Sequence, residues 1–399
     1  MKIPDWLHHI PSHWEIRKAS HILDISVGGT PPTSNPEFFD GDIPWITIAD
    51  MNSDEIFGSS HYLSESGLRH ANIRWSEPGD LLYSFKLSIG KTCFVKKPVV
   101  TNEAIATIHK SSKIHLPFAR YVLPLAFEHA AGTNIYGAKI LNQQQLKSAL
   151  IPLPPLDEQK KIADELDREL AEIDDFIADQ QYLRELTTEK FNAELRSLTH
   201  PEGIETVPLK RFADITLGKM VTPSDKGGME LAPYIRAANI QPGGVFTYQS
   251  DQKKMWFSSN ELSYLDLKKG DILVVEGGAG FGRSAVLEED LPGWGFQNSI
   301  NRVRVRPCLV DAHFIDFCIR AQLLSGELEN LTNQSTIPHL TAEKLNLIQI
   351  PNIEVGQQTE FANELFILNH RNSILIAEME NLISILLELK QSKIISLLS

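Results

Sequence analysis

The sequence predicts an α+β protein, in which two similar mixed α/β domains, each with a curved β-sheet, are separated by two long helices in an internal pseudo-two-fold repeat. Two observations predict this fold class. Two long stretches have the composition and spacing of helices, and the rest of the 399-residue chain repeats itself in order. We expect a first domain over 1–156, a central spacer helix over 157–200, a second domain over 201–350 and a C-terminal spacer helix over 351–399.

The first helical stretch follows the motif IPLPPLDEQ at residues 151–159. About 40 residues follow without proline or glycine, rich in Glu, Asp, Leu and Ala. Pro154 and Pro155 suit the approach to a helix, and the carboxylates of Asp157 and Glu158 complement the positive end of its dipole. At about 1.5 Å per residue this predicts a helix of roughly 60 Å. Its expected apolar seam includes Ile162, Leu166, Ile173, Phe176 and Leu183.

The second helical stretch follows a diverged copy of the same motif, IPNIEVGQQ at residues 350–358. Its apolar residues recur at steps of four and three, as in a heptad seam, with Asn372 at one polar position. Two amphipathic helices on separate cores would also explain this pattern. Helices this long are uncommon inside compact domains, so we expect the two to pack together. Asn372 either sets the register or is a tolerated, solvated residue. The predicted seam is Phe361, Leu365, Leu368, Asn372, Leu375, Met379, Leu382, Leu386 and Leu389.

The two halves of the chain are copies of one unit. A shift of 199 residues aligns Leu141 with Leu340 and Gln159 with Gln358. Upstream the register drifts but the order is kept, so that DISVG matches DITLG, EPGDLLYS matches KKGDILVV, and IGKTCFV matches FGRSAVL. This period is far too long for a solenoid and indicates a duplicated domain. Short β-rich runs between Gly, Pro, Asn and Asp predict the strands of a curved sheet in each copy.

Composition limits the class of protein. The hydrophobic fraction of 42% is ordinary for a globular chain, and no signal peptide or membrane span is recognisable, so we expect a cytoplasmic protein. A net charge of −13 by itself argues against nucleic acid as a partner, but the distribution of the charge along the chain removes this objection. Residues 157–200 carry 13 acidic and 6 basic side chains, whereas residues 1–156 carry 14 of each. The acidity is concentrated in a helix and leaves the domains near neutral.

The sequence contains no recognisable catalytic, cofactor or metal motif. The glycine-rich segment EGGAGFGRS fits neither GxGxxG nor GxxxxGK[ST], so we interpret it as a turn between strands. HExxH, GxSxG and Cys/His metal spacings are all missing, as is the Asn- or Asp-Pro-Pro-aromatic signature of amino-group methylation. We therefore expect a chain that binds rather than catalyses, with no metal or cofactor of its own.

Polar loops between the predicted strands are the candidate binding segments. Their amide, hydroxyl, Lys and Arg side chains match the donors and acceptors of base edges and phosphates. Surface loops are commonly polar, so composition alone does not decide the point, but two related domains on a helical spacer suit a duplex with two half-sites. The candidate DNA-binding residues are Thr30, Thr33, Asn35, Lys86, Lys91, Asn134, Tyr136 and Lys139 in the first domain, and Lys219, Thr222, Arg283, Asn298, Gln334, Ser335 and His339 in the second.

Several segments together resemble a known family. They are IPLPPLDEQKKIADELDRELAEID after the first domain, IPNIEVGQQTEFANEL after the second, IPSHWEIRKASHILDISVGGTPPTSN near the start, and the two GD[LI]L strands. Across essentially its whole length the chain is similar to the specificity (S) subunits of type I restriction-modification systems. The second motif departs from the pattern, because it loses two prolines and has Gln357 where the first motif has Glu158.

The resemblance implies a non-catalytic, DNA-binding subunit. Two target-recognition domains would each read one half of an asymmetric, bipartite site in double-stranded DNA, and the two helices would form an antiparallel coiled coil between them. Two modification (methyltransferase) subunits would methylate adenine, and separate restriction subunits would cleave the DNA. S-adenosylmethionine would bind the methyltransferase. The alternatives are a stand-alone DNA methyltransferase or endonuclease with a duplicated recognition domain, and a coiled-coil scaffold without nucleic acid.

Overall fold

The structure is a computed structural model that describes residues 5–7, 10–86, 88–133, 139–248, 252–306, 308–332 and 338–398, with the backbone alone at Asp5, Thr133, Lys139 and Ile140. Its internal contacts divide the chain into two compact units, Met1–Ala178 with Ile383–Ser399, and Asp179–Leu382. Each unit contains one repeated domain and a portion of both long helices. Within the described ranges, no helix is long and apolar enough to cross a membrane.

The first unit is built from short strands and helices. Its strands are β1 (Glu15–Lys18), β2 (Asp24–Val27), β3 (Ile43–Ile46), β4 (Glu55–Ile56), β5 (Tyr62–Leu63), β6 (Leu81–Ser84), β7 (Thr92–Val95), β8 (Val100–Thr101), β9 (Ile105–His109), β10 (Gly132–Thr133), β11 (Lys139–Ile140) and β12 (Leu150–Leu153). Its helices are α1 (Ala19–Ile22), α2 (Glu65–Ala71), α3 (Leu116–Ala130), α4 (Gln143–Ser148) and the first part of α5 (Leu156–Thr199).

The second unit repeats this plan. Its strands are β13 (Thr206–Pro208), β14 (Ala213–Leu217), β15 (Glu230–Ile235), β16 (Ile240–Gln241), β17 (Val245–Phe246), β18 (Lys254–Phe257), β19 (Asp271–Val275), β20 (Ser284–Val286), β21 (Gly295–Phe296), β22 (Ile300–Val305) and β23 (Gln349–Pro351). Its helices are α6 (Ser259–Tyr264), α7 (Ala312–Leu324), α8 (Glu327–Asn330), α9 (Ala342–Leu345) and most of α10 (Val355–Leu398).

The main sheets of the two units share four strands in the same order, and the first has β4 as an additional fifth strand. In the first unit the strand order is β2-β9-β6-β7-β4, and in the second it is β14-β22-β19-β20. A smaller three-stranded sheet accompanies each, β5-β3-β8 and β18-β15-β21. Every residue of β6, β9 and β19 is buried, because side chains pack on both faces of these central strands. The predicted fold class of two similar mixed α/β domains is confirmed.

The motifs at 151–159 and 350–358 form a joint between each domain and its helix. Strand β12 pairs with β1 at the start of the first domain, and β23 pairs with β13 at the start of the second. Beyond β12, the buried Gln159 accepts a hydrogen bond from the backbone N–H of His115 (2.8 Å) and donates one to the Pro154 carbonyl (2.8 Å). Each joint thus ties the first strand, the helix entry and a domain helix together.

The same pair of hydrogen bonds recurs in the second unit. Gln358 is fully buried, accepts from the backbone N–H of Asp311 (3.0 Å) and donates to the Ile353 carbonyl (2.8 Å). His115 and Asp311 are the residues that precede α3 and α7. The glutamine therefore links the entry of each long helix to the start of the domain helix beside it, where free backbone N–H groups need partners.

The long helices pack antiparallel inside the first unit. Helix α5 buries a line of side chains at steps of three and four. Lys390 of α10 pairs with Asp174 at 2.5 Å, and Lys393 pairs with Glu169 at 2.7 Å, so α10 runs backwards along α5. The predicted seam residues Ile162, Leu166, Ile173 and Leu386 are buried, together with Ala163, Leu170 and Ile177 of α5, which the seam prediction omitted.

The helices pack antiparallel inside the second unit as well. Phe191 and Leu195 of α5 form an apolar cluster with Leu365 of α10 and with Phe317 and Ala321 of α7. Towards the middle of α5, Arg184 lies 3.6 Å from Glu380, again with the chain directions opposed. The predicted seam residues Phe361, Leu368, Asn372, Met379 and Leu382 are partly buried.

The seam prediction is wrong for four residues. Phe176, Leu183, Leu375 and Leu389 keep 43–45% of their surface exposed. The buried line on α5 instead continues from Ile177 through the partly buried polar side chains of Gln180, Arg184 and Thr187. Because apolar residues surround most of α10, their spacing does not reveal which of them face α5.

The buried glutamine of the second joint can be tested against its exposed neighbour. Gln358→Ala leaves a backbone N–H and a carbonyl without partners and is expected to lower the free energy of unfolding by about 2 kcal/mol. Gln357→Ala removes an exposed side chain from the same turn and is expected to change it by less than about 0.5 kcal/mol. Urea unfolding of the full chain measures both changes, and equal effects of the two variants would contradict the role of the joint.

Candidate nucleic-acid interface

Three predicted contact residues of the first domain, Thr30, Lys86 and Lys91, lie in loops at one end of the main sheet. Strands β2 and β6 end there, and β7 and β9 begin there. Backbone hydrogen bonds from Gly28 to Ile105 (3.1 Å) and from Phe85 to Ala104 (3.0 Å) hold the loops side by side. Gly28 is required, because a Cβ at this position would lie 2.1 Å from the Thr101 carbonyl oxygen. The loops that carry Thr30, Lys86 and Lys91 therefore share one edge.

The candidate side chains of this edge differ in their exposure and in their contacts with other side chains. Lys86 is exposed, with its ammonium 5.8 Å from the centre of the Phe85 ring, and Lys91 makes one long contact (3.4 Å) with the Asn52 side chain. The hydroxyl of Thr30 donates to Glu103. The two lysines are therefore the cations of this edge that remain accessible to an anionic partner.

The other candidates in the first domain follow along the chain. Thr33 is exposed, whereas Asn35 caps a short 3-10 turn by accepting a hydrogen bond from the backbone N–H of Glu37 (3.3 Å). The backbone of Lys139 pairs with Thr133 in the hairpin of β10 and β11. Asn134 and Tyr136 lie outside the described residues.

The predicted contact residues of the second domain converge at the corresponding end. Strands β14 and β19 end there, and β20 and β22 begin there. Lys219 donates its backbone N–H to Phe296 (3.0 Å), Asn298 donates to Lys219 (2.9 Å), and Leu340 donates to Glu276 (2.8 Å). These bonds bring together the segments that carry Lys219, Arg283, Asn298 and His339. Gln334 and Ser335 lie outside the described residues.

The structure changes the expectation for two of these residues. The ammonium of Lys219 pairs with Glu261 at 2.5 Å, lies 5.3 Å from the centre of the Phe257 ring, and leaves only 12% of the side chain exposed. Thr222 is buried, and its hydroxyl donates to the Met220 carbonyl (3.2 Å). Both side chains are engaged inside the domain, so we no longer expect them to contact a ligand.

The remaining candidates in the second domain are more accessible. Arg283 and Asn298 are partly exposed, and neither side chain has a hydrogen-bond or ion-pair partner among the described residues. Arg283 occupies the place of Lys91 in the repeat, since FGRS matches IGKT. The His339 ring lies against Gly277, where a Cβ would be 3.2 Å from its Nδ1 atom.

Sequence reasoning missed one ionisable group at this edge, Glu276. It follows β19 directly and opens the glycine-rich turn. Burial raises the pKa of its carboxyl group, and the nearby His339 opposes that rise. The repeat contained a usable signal, because the matching position in the first domain is Phe85.

The opposite end of each sheet is held by charged or polar side chains around a buried aspartate. In the first domain Asp80 contacts His109 Nδ1 (2.8 Å), and Ser26 contacts His109 Nε2 (2.7 Å). In the second domain Asp271 occupies the matching place and pairs with Arg304 at 2.7 Å. Because an arginine stands where His109 stands in the repeat, we interpret the serine, histidine and aspartate as a clamp between strands and not as a catalytic triad.

Metal chemistry has no evident ligand set in the parts of the chain that the structure describes. They contain no group of three or more His, Cys, Asp or Glu side chains that could hold a metal ion. The groups that converge at the two sheet ends are cations, amides, hydroxyls, an imidazole and a few carboxylates, and these suit hydrogen bonding to a polar ligand.

Two copies of one domain, each with a polar loop cluster at the same sheet end and each joined to paired helices, define a duplicated binding protein. Models of the type I restriction modification DNA specificity domain match residues 11–180 and 201–383. The chain belongs to this family, that of the specificity subunits of type I restriction-modification systems.

Individual relatives agree with this assignment. The chain is 28% identical over 192 residues to the type I restriction enzyme MjaIX specificity subunit of Methanocaldococcus jannaschii, an alignment that covers 47% of this chain and 43% of the relative. It is 26% identical over 251 residues to the EcoBI specificity subunit of Escherichia coli, which covers 54% and 51%. The chain thus spans about half the length of the curated relatives it matches.

A solved structure shares the fold. A chain from work on complex assembly and conformational transition of the type I R-M system superposes with a TM-score of 0.72 at 15% identity, over 98% of both chains. At this identity the match shows the fold alone.

The Asp80 clamp predicts a dependence of stability on pH. Burial alone would raise the pKa of the Asp80 carboxyl, but hydrogen bonds from His109 and from the backbone of Glu77 and Lys110 lower it overall. The carboxylate therefore stabilises the fold above its unfolded pKa of about 3.9, and this stabilisation is lost as the pH falls through the lower, folded pKa. Asp80→Ala is expected to lower the free energy of unfolding by about 3 kcal/mol at pH 7. Below about pH 4 the difference in free energy of unfolding between the variant and the unmodified protein should become smaller.

The control for this prediction is a surface ion pair in the same domain. Asp24 pairs with Arg74 at 3.0 Å, with about half of each side chain exposed, so Asp24→Ala should cost less than about 1 kcal/mol. Urea unfolding from about pH 2 to pH 8 measures both variants. A loss for Asp80→Ala that stays constant over this range would show that the charge of the carboxylate does not matter.

Proposed function

We propose that the chain is the sequence-specific DNA-binding subunit of a type I restriction-modification complex. Each domain reads one half of an asymmetric, bipartite site in double-stranded DNA. The observation that carries this proposal is the pair of matching sheet ends, where the same framework presents unlike polar loops. Two copies of one framework with different side chains suit a target whose two half-sites differ.

Lysine and arginine contacts to phosphates would hold each domain on the duplex. Lys86 and Lys91 in the first domain and Arg283 in the second are available for this role, since none of them has an ion-pair partner among the described residues. Base edges would be read by the neighbouring polar side chains, including Thr33, Asn298 and His339. The acidic surface of α5 is unfavourable for DNA and would face protein or solvent.

The chain would work without catalysis of its own. Methylation of adenine and cleavage of DNA would be carried out by two modification subunits and by restriction subunits, and S-adenosylmethionine would bind the methyltransferase. Exposed apolar side chains on α10, such as Phe366 (58%), Ile367 (57%) and Leu387 (53%), support a role for the helices in holding protein partners. Such a complex would act on DNA in the cytoplasm.

The accessible cations predict which substitutions weaken DNA binding. Lys91→Ala and Arg283→Ala should each lower affinity for all sequences alike and reduce the slope of log affinity against log salt by about 1, because each removes one phosphate contact. Lys210→Ala is the matched control, an exposed lysine just before the opposite end of β14. Titrations of the full chain with its methyltransferase subunits, at several salt concentrations, measure all three variants. Wild-type affinity that is the same for every sequence would refute the proposed function.

The paired helices predict the distance between the half-sites. Because Arg184 faces Glu380, seven residues inserted after Leu183 and seven after Glu380 keep the seam in phase while lengthening both helices by about 10 Å. The tolerated spacer should then lengthen by up to about 3 base pairs, at roughly 3.4 Å per step, while both half-sites stay the same. Selection from randomised DNA measures spacer and half-sites together, and an altered half-site would contradict the role of the helices as a spacer.

A further inference from the structure

A group of polar side chains lies at the binding end of the second domain's sheet, each with an oxygen atom that has no partner among the described residues. The Nδ2 atom of one of them, Asn301, donates to the Leu340 carbonyl (2.9 Å). Asn301 and Ser284 flank Val274 on the two neighbouring strands, and Ser299 pairs with Glu276 one step further along. Because alternate residues of a strand face the same side, these four polar side chains occupy one face of the sheet. The Oγ atoms of Ser284 and Ser299 and the Oδ1 atom of Asn301 are buried without a hydrogen-bond partner.

The first domain fills the same place differently. The registers of the two sheets put Phe85 at the position of Glu276, Ala104 at that of Ser299, and Ala106 at that of Asn301. Tyr83 stands at the position of Val274, and its ring packs edge-on against Phe127 at 4.9 Å. The carboxylate and the amide of the second domain therefore have no counterpart in the first, and the shared framework does not require them.

The Glu276 carboxylate is placed to meet a ligand. It is partly exposed, and it forms no hydrogen bond or ion pair with any residue that the structure describes. Gly277 and Gly278 follow it. The His339 ring lies against Gly277, whereas a Cβ at Gly278 would have no described atom within 4 Å, so the turn is open on the side of Gly278. A partly buried carboxylate without a partner is costly, and a hydrogen-bond donor from outside the protein would relieve that cost.

We propose that Glu276 is a specificity-determining residue of the second domain, which accepts a hydrogen bond from an exocyclic amino group in the major groove. This inference rests on the proposed function and names the chemistry that this site reads. A carboxylate only accepts hydrogen bonds, so a phosphate would be repelled. Cytosine N4 and adenine N6 are the amino donors that the major groove presents. Arg283 would bind a neighbouring phosphate of the DNA backbone. The hydroxyls of Ser284 and Ser299 would orient the Glu276 carboxylate through bridging water.

Two substitutions of Glu276 separate the two possible bases. Glu276→Ala removes the acceptor and should reduce the preference at one base pair of one half-site by about 10-fold or more, whichever base is read. Glu276→Gln keeps an acceptor oxygen but loses the charge, so it should weaken a preference for cytosine less than Glu276→Ala does. It should keep or strengthen a preference for adenine, because a glutamine amide pairs with adenine N6 and N7. Both variants should bind non-specific DNA at least as tightly as the unmodified protein, since a negative charge has been removed.

The measurement is selection from randomised duplexes with the full chain in complex with its methyltransferase subunits, followed by affinities for the selected and single-substituted sites. Glu230→Gln is the control, because it removes an exposed carboxylate from β15 of the same domain. It should change neither the selected sequences nor the affinities for the single-substituted sites. Urea unfolding checks that each variant is folded. A stably folded Glu276→Ala with an unchanged base profile would overturn the inference.

The outcomes also separate this inference from the proposed function. If the unmodified complex selects no sequence, the proposed function fails. If it selects a bipartite site and Glu276→Ala selects the same site with the same preferences, the function stands and only the role of Glu276 fails. Changes in both half-sites would also contradict the inference, because Glu276 belongs to one domain only.

Discussion

Each unit depends on one buried glutamine where a domain meets its long helix. Gln159 and Gln358 are almost fully buried, and each uses both ends of its amide on backbone groups. The amide oxygen accepts from the backbone N–H of the residue that precedes a domain helix, and the amide nitrogen donates to a carbonyl at the entry of the long helix. Because both partners are backbone atoms, the bonds set the direction of the long helix against its domain whatever the neighbouring side chains are.

This constraint explains why the sheet ends can differ so much between the copies. The joint, the glycines at 28 and 218 and the buried clamp pairs hold the strands of each sheet in the same positions. The loops at the far end add little to that framework, so their side chains are free to change. Phe85 and Glu276 occupy equivalent positions, and either is compatible with the same strand pairing.

The sequence predicted the parts of this structure that repeat or that follow a regular period. The two domains, the two helices and the placement of Lys86, Lys91, Arg283 and His339 in polar segments between strands were predicted from pattern, but their convergence at one end of each sheet was not. It did not predict that Lys219 is bound to Glu261, because that partner lies 42 residues away and is brought close only by folding. The seam was mistaken in places because α10 is apolar around most of its surface and the middle of α5 is polar.

The hydrogen bonds of the two joint motifs explain why the second motif tolerates the loss of two prolines. The second motif lacks two prolines and the glutamate, yet it keeps the glutamine and the strand before it. The acceptor of the glutamine is a carbonyl of Pro154 in one copy and of Ile353 in the other, so proline is not needed for the bond. Prolines stiffen the approach to the helix, whereas the buried amide joins helix to domain. The glutamine is therefore the part of the motif that both joints share, and its hydrogen bonds remain in the second joint without the prolines.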